Sequence, residues 1–485
     1  MTASWPQTSV LVLGLGRSGA AAARALLAAG VGRLVVADRD DGPALRSRGG
    51  ELRAAGADVR VGSDDPELLG GVDLVVPSPG VPQSSPLLAT ALAGRVPVWS
   101  EPELAWRLSS GRTRLVAVTG TNGKTTTTEL VAACLGVPAA GNIGTPLSDV
   151  LTAAAPPALV CAELSSFQLR FTDALRADVA VLLNVAADHL DWHGSAEAYR
   201  AAKARVWANQ RPGDRAVVNA DDAGAMGAVR AHPPPAAPTT FTVAAPVDGQ
   251  VGVERGWVVD RLSGASRRIA PVAALRLRGP HNLSNVAAAV AAARCAGAPA
   301  ESLVAPLTDF APGPHRLEVV ATVAGVRFVN DSKATNPHAA AAALTALSSP
   351  PTAGGAAAGP SPSSPPTAGG PSIVWIAGGL NKGLSFDELA AVVPGRVRAA
   401  VTIGSSGPAL AGLTRRLGVD TVEAGELAAA VRTAAALAAP GDTVLLAPAC
   451  ASMDQFHDYA ARGDAFRHAV ERLTDASREE VPRGA

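Results

Sequence analysis

The sequence predicts an α/β protein of three domains whose sheets are mainly parallel. Short apolar strands alternate with alanine-rich helical stretches along most of the 485 residues. Two of these strands run into glycine-rich turns followed by a helix, an arrangement that receives phosphate at a helix N-terminus. At about 100–200 residues per domain, the length suggests two to four domains, each with its own core.

The composition favours a small-molecule partner. The 42 basic and 42 acidic side chains give a net charge of zero, which excludes binding to nucleic acid or a membrane surface by bulk electrostatics. The 4 cysteines form no C-x-x-C pair, so we expect neither a disulfide framework nor a structural zinc site. The sequence shows no secretory signal and no apolar run of about 18 residues. We therefore expect a cytoplasmic protein. We also expect a monomer.

The first predicted domain, residues 1–109, opens with a dinucleotide-binding, Rossmann-like pattern. An apolar strand at 10–13 leads into the turn Gly14, Leu15, Gly16, Arg17, Ser18 and Gly19. A second strand ends at Asp38, and a third leads into the loop Ser78, Pro79 and Gly80 on the same expected edge of the sheet. This pattern fits a nicotinamide cofactor, a nucleotide diphosphate without nicotinamide, or glycines that serve only a tight turn.

The second predicted domain, residues 110–312, carries a variant phosphate loop. A strand at 115–118 is followed by Gly120, Thr121, Asn122, Gly123, Lys124, Thr125 and Thr126. The common spacing would place glycine at position 118, where this chain has Val118. The mechanics are unchanged: backbone N–H groups wrap the phosphates, Lys124 reaches the β and γ oxygens, and Thr125 can ligate Mg²⁺.

Further polar side chains follow the next strands of this domain. Glu163 ends a strand that starts at residue 159, while Asp188 and His189 lie just past a strand at 179–183. Because the carboxyl ends of parallel strands meet at one edge, Glu163 is a candidate ligand of Mg²⁺ beside the phosphate loop. The loop that holds Asp188 and His189 can be part of the same site. The alternative is that it is only a polar connection in which an aspartate caps the next helix. The region 232–278, with short valine alternations broken by glycine, predicts a small antiparallel patch.

Lysine is scarce in this chain, which has 4 lysines and 38 arginines. Lys124, Lys203, Lys333 and Lys382 therefore stand where a guanidinium would fail, or have been retained by chance. Lys203 lies in a helical stretch, where a lysine is normally a solvated cation. A desolvated lysine amine can instead lose its proton and add carbon dioxide, giving a carbamate that ligates metal as arginine cannot.

The third predicted domain, residues 313–485, contains strands at 327–329, 373–376, 399–403 and 443–446. Between its first helix and the next strand lies a segment rich in proline, glycine, serine and alanine, residues 348–372. Such a composition buries too little apolar surface to offset the entropy of ordering. We expect this segment to be a flexible surface insertion.

Nine short motifs resemble, in order along nearly the whole chain, those of the Mur ligases. They are TGTNGKTT (119–126), AELSSFQL (162–169), NVAADHLD (184–191), AAKARV (201–206), GPHNLSN (279–285), PHRLE (314–318), NDSKATNP (330–337), GGLNKG (378–383) and PACASMDQF (448–456). DSKATN and ACASMDQF are similar to the motifs of the members that add D-glutamate. The D-N-P-R motif of diaminopimelate-adding members is absent.

The resemblance implies an ATP-dependent amide ligase. The family's first domain holds the UDP of the substrate, its central domain binds ATP and Mg²⁺, and its last domain closes over them with the incoming amino acid. The expected reaction joins D-glutamate to UDP-N-acetylmuramoyl-L-alanine (UDP-MurNAc-L-Ala) through an acyl phosphate, in peptidoglycan precursor synthesis. ATP and Mg²⁺ are the expected cofactors.

Site residues follow by resemblance, position by position. The catalytic residues would be Lys124, His189, Lys203 and Lys382. ATP would be contacted by Gly120, Thr121, Asn122, Gly123, Lys124, Thr125, Thr126, Asn282, Arg316 and Asp331. Mg²⁺ would be held by Thr125, Glu163, His189 and carbamylated Lys203. The UDP substrate would meet Gly14, Leu15, Gly16, Arg17, Ser18, Asp38, Ser78, Pro79, Gly80, Asn142 and Ser165, and D-glutamate would meet Lys333, Thr335, Ser452 and Tyr459.

Three other functions remain compatible with the sequence. Another amino-acid-adding Mur ligase, or a folylpolyglutamate synthetase, would share the central domain. A nicotinamide oxidoreductase would use the first glycine turn and leave the phosphate loop idle. A non-catalytic nucleotide switch would bind ATP without an amino-acid pocket. ATP turnover that depends on D-glutamate, and not on L-glutamate, L-alanine or diaminopimelate, distinguishes among them.

Overall fold

The structure is a computed structural model that describes residues 4–277, 279–348 and 372–479. The chain divides into two compact units, each of which gathers separate segments. The first comprises Met1–Val185, Trp192–Val272 and Ser284–Asp309, and the second comprises Ala186–Asp191, Ala273–Leu283 and Phe310–Ala485. Apart from its two end residues, the predicted insertion at 348–372 lies outside the described residues.

The first unit begins with a four-stranded parallel sheet. Its strands are β1 (Ser9–Leu13), β2 (Arg33–Asp38), β3 (Asp58–Val61) and β4 (Leu74–Pro77), in the order β3-β2-β1-β4. Its helices are α1 (Arg17–Ala28), α2 (Pro43–Ala54), α3 (Pro86–Ala93) and α4 (Glu101–Leu108). Alternate residues of β1 pack into two separate hydrophobic cores, one on each face of the sheet. Because both faces of β1 are buried, its sequence is apolar at nearly every position.

The first unit also contains a nine-stranded sheet. Its strands are β5 (Arg114–Thr119), β6 (Ala139–Gly141), β7 (Leu159–Glu163), β8 (Val179–Leu182), β9 (Arg215–Asn219), β10 (Thr239–Phe241), β11 (Gln250–Glu254), β12 (Trp257–Asp260) and β13 (Arg267–Pro271). They lie in the order β13-β12-β11-β10-β9-β8-β5-β7-β6. The helices of this stretch are α5 (Lys124–Leu135), α6 (Leu147–Leu151), α7 (Ser166–Arg170), α8 (Leu190–His193), α9 (Ala196–Ala204), α10 (Ala223–Ala231), α11 (Pro280–Ala296) and α12 (Val304–Asp309).

The predicted antiparallel patch is confirmed, with one difference. Strands β11, β12 and β13 pair antiparallel. Strand β10 lies in the same region but pairs parallel with both β9 and β11. Strand β10 forms backbone hydrogen bonds with β9 on one side and with β11 on the other. The antiparallel patch is therefore continuous with the parallel sheet.

The second unit contains a six-stranded sheet. Its strands are β14 (Glu318–Val323), β15 (Val326–Asn330), β16 (Ile373–Gly378), β17 (Val397–Ile403), β18 (Asp420–Gly425) and β19 (Thr443–Leu446), in the order β14-β15-β19-β16-β17-β18. Only the β14–β15 pair is antiparallel. Its helices are α13 (Pro337–Ser348), α14 (Asp387–Val392), α15 (Gly407–Arg416), α16 (Leu427–Leu437) and α17 (Tyr459–Glu479). The predicted α/β class with mainly parallel sheets is confirmed.

None of the helices in the described part of the chain combines the length and apolar character needed to cross a lipid bilayer.

Two buried glutamates at the start of α4 have different environments. Both carboxylate oxygens of Glu103 accept hydrogen bonds, from the backbone N–H groups of residues 173–175 and from the Arg107 side chain. Glu101 accepts one, from the backbone N–H of Ser148, and its other oxygen is buried without a partner among the described residues. Burial raises the pKa of Glu101 to about 7, although the bond from Ser148 opposes this shift.

Glu101→Gln should therefore become relatively more stable as the pH rises. The pKa of Glu101 in the folded state lies above the ordinary 4.5, so this carboxyl favours folding below pH 4.5, and its contribution is lost as the pH approaches 7. The loss is about 3 kcal/mol at most, or several degrees of melting temperature. Thermal denaturation at pH 5 and pH 8 should show the difference between variant and parent moving in favour of the variant.

Glu103→Gln is the matched control, two residues away on the same helix. It should lower the melting temperature at both pH values, because it removes an acceptor from a fully bonded carboxylate. A Glu101→Gln difference that does not change between pH 5 and pH 8 would contradict the assignment.

Candidate active site

The phosphate loop joins β5 to the N-terminus of α5. Residues 120–123 form the turn, and α5 starts at Lys124, whose Nζ donates a hydrogen bond to the carbonyl of Thr121 at 2.9 Å. The N–H groups in the first turn of a helix lack acceptors within the helix, and the helix dipole adds positive potential there. The backbone N–H groups of the turn can therefore bind an anion, and the ammonium of Lys124 adds a positive charge beside it.

Gly123 is required by the geometry of this turn. Its φ is +82°, and a Cβ at this position would lie 2.3 Å from Oδ1 of Asn285. The same oxygen accepts a hydrogen bond from Oγ1 of Thr127 at 3.3 Å. Asn285 on α11 thus contacts the loop and restricts it at Gly123.

Glu163 stands at the end of β7 and is 2% exposed. Its Oε1 accepts a hydrogen bond from Nδ2 of Asn142 at 2.8 Å, whereas its Oε2 is buried without a partner among the described residues. An unsatisfied buried carboxylate oxygen is costly unless a cation completes it. Glu163 therefore fits the ligand role predicted for it, and Asn142, predicted at the UDP substrate, orients that carboxylate.

The described residues hold no cluster of three or more His, Cys, Asp or Glu able to bind a metal ion alone. This agrees with the chemistry of Mg²⁺, which usually keeps several waters and takes one or two protein carboxylates together with substrate phosphates. Glu163 and Thr125 are donors of that kind.

Lys203 is buried in α9, with 1% of its surface exposed. Its Nζ donates to the carbonyl of Gly120 at 2.7 Å and lies 4.6 Å from the centre of the Tyr199 ring. Tyr199, one turn earlier on the helix, shares a 3.0 Å hydrogen bond with Oγ1 of Thr121. The helix lysine is thus not a solvated cation, and α9 bonds directly to the phosphate loop through both side chains.

The glycine turn of the four-stranded sheet brings several predicted residues together. Gly14 has a φ of +86°, and a Cβ on Gly19 would lie 1.8 Å from the Gly14 carbonyl oxygen. The carboxylate of Asp38 accepts a hydrogen bond from the backbone N–H of Leu15 at 2.7 Å, and Oγ of Ser78 donates to the Gly14 carbonyl at 2.9 Å. The two predicted UDP-binding loops therefore adjoin each other.

Contacts also link this turn to the loop that contains Asn142. The guanidinium of Arg17 donates to the carbonyl of Gly144, two residues beyond Asn142.

Ser165 caps α7, since its Oγ accepts a hydrogen bond from the Gln168 backbone N–H at 3.2 Å in a capping box. Within the first unit, Ser165 therefore has a structural role at the start of α7, two residues past Glu163.

In the second unit, Asp331 and Lys333 follow β15. Oδ1 of Asp331 accepts a hydrogen bond from the backbone N–H of Leu317 at 3.1 Å. Burial raises the pKa of Asp331 to about 7, although this hydrogen bond and the charges of Arg316 and Lys333 oppose the shift. The ammonium of Lys333 lies 5.0 Å from the centre of the Tyr459 ring, so two of the residues predicted for D-glutamate are neighbours.

Arg462 fixes the loops that carry these residues. This guanidinium is 1% exposed and donates to both the hydroxyl and the carbonyl of Ser332, at 3.0 and 2.8 Å, and to the carbonyl of Cys450 at 3.1 Å. Ser332 precedes Lys333, and Cys450 lies two residues before Ser452. Arg462 thereby joins the loop of Lys333 to the loop of Ser452.

The loop of Lys382 adjoins the same segment. The backbones of Leu380 and Ala451 exchange hydrogen bonds of 2.8 and 3.0 Å. Lys382 and Ser452 therefore lie on two paired loops. Thr335 is on the loop of Lys333, where its N–H donates to the Lys333 carbonyl.

His189 and Asp188 belong to the second unit. His189 has a φ of +52°, and its Nε2 lies 3.6 Å from the Asp188 carboxylate. The Asp188 carboxylate also accepts hydrogen bonds from the backbone N–H of His189 at 2.9 Å and from Nδ2 of Asn336 at 3.1 Å. Asn282 lies in the first turn of α11, in the part of that helix that belongs to the second unit.

Three residues with these supporting roles were missed from sequence: Asn285, Tyr199 and Arg462. Tyr199 had a detectable signal, because it lies four residues before Lys203 and shares its helix face. Asn285 is the last residue of the GPHNLSN motif, but its partner Thr127 is 158 residues away in the chain. Arg462 gave no signal, since Ser332 is 130 residues away.

Two family profiles match the chain. Residues 118–293 match the Mur ligase middle domain, and residues 8–100 match the MurD-like N-terminal domain. A UDP-N-acetylmuramoylalanine–D-glutamate ligase from Frankia casuarinae is 48% identical over 474 residues, which cover 96% of this chain and 94% of that protein. The protein of the same name from Streptomyces avermitilis is 42% identical over 490 residues, covering 97% of this chain and 99% of its own length.

Solved structures share the fold at low identity. UDP-N-acetylmuramate-alanine ligase MurC from Thermotoga maritima aligns with a TM-score of 0.58 and 19% identity, covering 96% of this chain and 99% of that one. MurF ligase from Thermotoga maritima in complex with ADP gives 0.55 and 16%, covering 98% and 99%. At this identity the likeness concerns the fold alone.

Proposed function

The chain belongs to the Mur ligase family, and we infer that it is an ATP-dependent ligase that joins D-glutamate to UDP-MurNAc-L-Ala in peptidoglycan precursor synthesis. The observation that carries this inference is identity of 40–48% along almost the whole chain to relatives named for that reaction. The four lysines, of which Lys203 is buried, the carboxylate beside the phosphate loop and the paired loops of the second unit provide the groups that the reaction needs.

The first half of the reaction activates a carboxylate, which is otherwise a poor acylating agent. The γ-phosphoryl group of ATP passes to the alanyl carboxylate of UDP-MurNAc-L-Ala, giving an acyl phosphate and ADP. Such transfers depend on alignment and on stabilising the charge of the moving phosphoryl oxygens. The backbone of residues 120–125 and the ammonium of Lys124 provide that stabilisation, and Lys382 adds a second cation.

Mg²⁺ fits the residues present, because Oε2 of Glu163 is a buried oxygen that lacks a protein partner among the described residues. Thr125, Glu163, His189 and a carbamylated Lys203 would hold it. When bound, it would neutralise the phosphate oxygens and orient them for transfer. Asn142 keeps the Glu163 carboxylate in position through its 2.8 Å hydrogen bond.

The second half of the reaction forms the amide bond. The amine of D-glutamate attacks the acyl carbon, and phosphate leaves from a tetrahedral intermediate. D-glutamate carries two carboxylates, and the neighbouring loops of the second unit offer the ammonium of Lys333 with the hydroxyls of Thr335 and Ser452. Arg462 holds these loops together through three hydrogen bonds, so it is a positioning residue.

The UDP substrate is assigned to the four-stranded sheet of the first unit. The backbone of residues 14–18 at the start of α1 and the loop at 78–80 would receive the diphosphate and the adjacent sugar. ATP contacts at Asn282, Arg316 and Asp331 are part of the same proposal. We also propose domain boundaries near residues 109 and 312, a cytoplasmic location and a monomeric state.

Phosphate release from ATP tests the function. With UDP-MurNAc-L-Ala present, release should require D-glutamate and should not respond to L-glutamate, L-alanine or diaminopimelate. Lys333→Ala should raise the KM for D-glutamate by about tenfold or more, because it removes a charge-assisted bond to a carboxylate. Turnover with another amino acid, or without UDP-MurNAc-L-Ala, would contradict the proposal.

A further inference from the structure

A cavity of about 300 Å³ lies in the first unit, lined by residues that the proposed reaction does not use. Three arginines contribute to its wall: Arg95 from the loop after α3, Arg170 at the end of α7 and Arg205 just after α9. Phe171 and Thr172 form part of the remaining wall. The volume lies at the lower end of the range for small-molecule sites, about 300–1,000 Å³.

The charge in this cavity is unbalanced. Among the described residues, no acidic side chain lines it and none forms an ion pair with its three arginines. The nearest acid along the chain, Asp173, is already paired with Arg107 at 2.5 Å. Three guanidinium groups around one concave surface repel each other and create a positive potential that attracts an anion.

Pairing is common among the other arginines of this neutral chain. Arg46, Arg60, Arg176 and Arg415, for example, bind Asp or Glu at 2.5–2.9 Å. Arg205 is half-buried, and its Nη2 donates to the carbonyl of Thr172, which is a neutral acceptor. Arg95 and Arg170 are exposed, and the Arg170 guanidinium lies 5.6 Å from the centre of the Phe171 ring. Because no described carboxylate neutralises them, these guanidinium groups can accept an anion from solution.

We propose that this arginine cavity binds a phosphate-bearing small molecule, at a site separate from the phosphate loop and the glycine turn. The planar fork of a guanidinium matches two phosphate oxygens, and the three arginines can share one mono- or diphosphate group. The proposal does not depend on the ligase function, because it concerns binding at residues outside the reaction.

Two helices connect the cavity to the proposed active site. Helix α7 ends at Arg170 and starts three residues after Glu163. Helix α9 ends one residue before Arg205 and carries Lys203, whose Nζ bonds to the phosphate loop. A ligand held by Arg170 and Arg205 would therefore contact the ends of both helices.

The test is calorimetric titration of the full chain with inorganic pyrophosphate in the absence of Mg²⁺. The double variant Arg95→Asn/Arg170→Ala removes two of the three guanidinium groups. Asparagine suits position 95 because the φ there is +56° and asparagine tolerates this conformation. Both proteins keep the phosphate loop and the glycine turn, so pyrophosphate binding at those two sites should be the same. The parent should therefore bind one more pyrophosphate than the variant, or bind it about tenfold more tightly.

Arg415→Ala is the matched control, because it removes an exposed arginine on α15 that is paired with Glu423. It should titrate like the parent. If the double variant does not fold, Arg170→Ala and Arg170→Lys decide: loss with alanine and retention with lysine support the site. Equal stoichiometry and affinity in parent and variant, or in the alanine and lysine variants, would overturn it.

Discussion

Lys124→Ala should abolish ligation while leaving the binding of UDP-MurNAc-L-Ala within a few-fold of the parent. Lys124 starts α5 at the end of β5, on the nine-stranded sheet, whereas the glycine turn assigned to the UDP group follows β1 on the four-stranded sheet. Loss of one preorganised donor to a transition state costs about 10²–10³-fold in turnover. The alanine variant also loses the positive charge of the Lys124 ammonium, which would face the phosphoryl oxygens. We therefore expect an effect at or beyond that range.

Phosphate release with all substrates measures the catalytic loss, and calorimetry with UDP-MurNAc-L-Ala measures the retained binding. Lys124→Arg keeps the charge and serves as the control for shape. It should also be inactive, because the larger planar group does not fit where Nζ now bonds to the Thr121 carbonyl at 2.9 Å. A parallel loss of substrate binding in the alanine variant would contradict the separation of the two sites.

Lys203→Ala should be nearly inactive and partly restored by acetate, whereas Lys203→Arg should stay inactive. The physical reason is the proposed carbamylation of Lys203: the neutral Nζ attacks carbon dioxide, an N–C bond forms, a proton leaves, and the side chain becomes an anion. This would reverse the sign of the field beside the phosphate loop, at the residues proposed to hold Mg²⁺. The remaining N–H of a carbamate can still donate to the Gly120 carbonyl, as the amine does at 2.7 Å.

Burial makes this chemistry accessible. Lys203 is 1% exposed, and removing an ammonium from water favours the neutral amine that reacts with carbon dioxide. Acetate is small enough to occupy part of the space left in the alanine variant and supplies the missing negative charge.

Carbon-13 NMR after equilibration with labelled bicarbonate gives a readout independent of activity. A carbamate signal should appear in the parent and be absent from Lys203→Ala. Lys382→Ala, which changes another lysine outside α9, should keep the signal and is the matched control. Normal turnover by Lys203→Arg, or a parent without the signal, would contradict the assignment and leave Lys203 as a positive contact to Gly120.

The sequence by itself determined the fold class and the chemistry-bearing segments. The continuous apolar run of β1 and the turn that follows it were readable because a buried parallel strand and a phosphate-binding turn each impose a local pattern. The loop at 120–126 was readable for the same reason. Lysine scarcity marked Lys203 before its burial was known.

Other features depended on tertiary contacts. Strand β6 is the tripeptide Ala-Ala-Gly, which has no strand preference of its own and is a strand because β7 supplies its hydrogen bonds. Strand β10 looked like the start of an antiparallel patch, yet pairs parallel on both sides. The local sequence of β6 or of β10 does not indicate which strand it pairs with.

The supporting residues of the site were decided in the same way. Asn285 reaches Thr127, and Arg462 joins Ser332 to Cys450, across 158, 130 and 12 residues of chain. A local pattern records which backbone conformation and which burial a residue prefers, whereas these contacts depend on which distant segment the fold brings beside it. The sequence thus identified the groups that can carry the chemistry, and the tertiary structure decided which residues hold them in place.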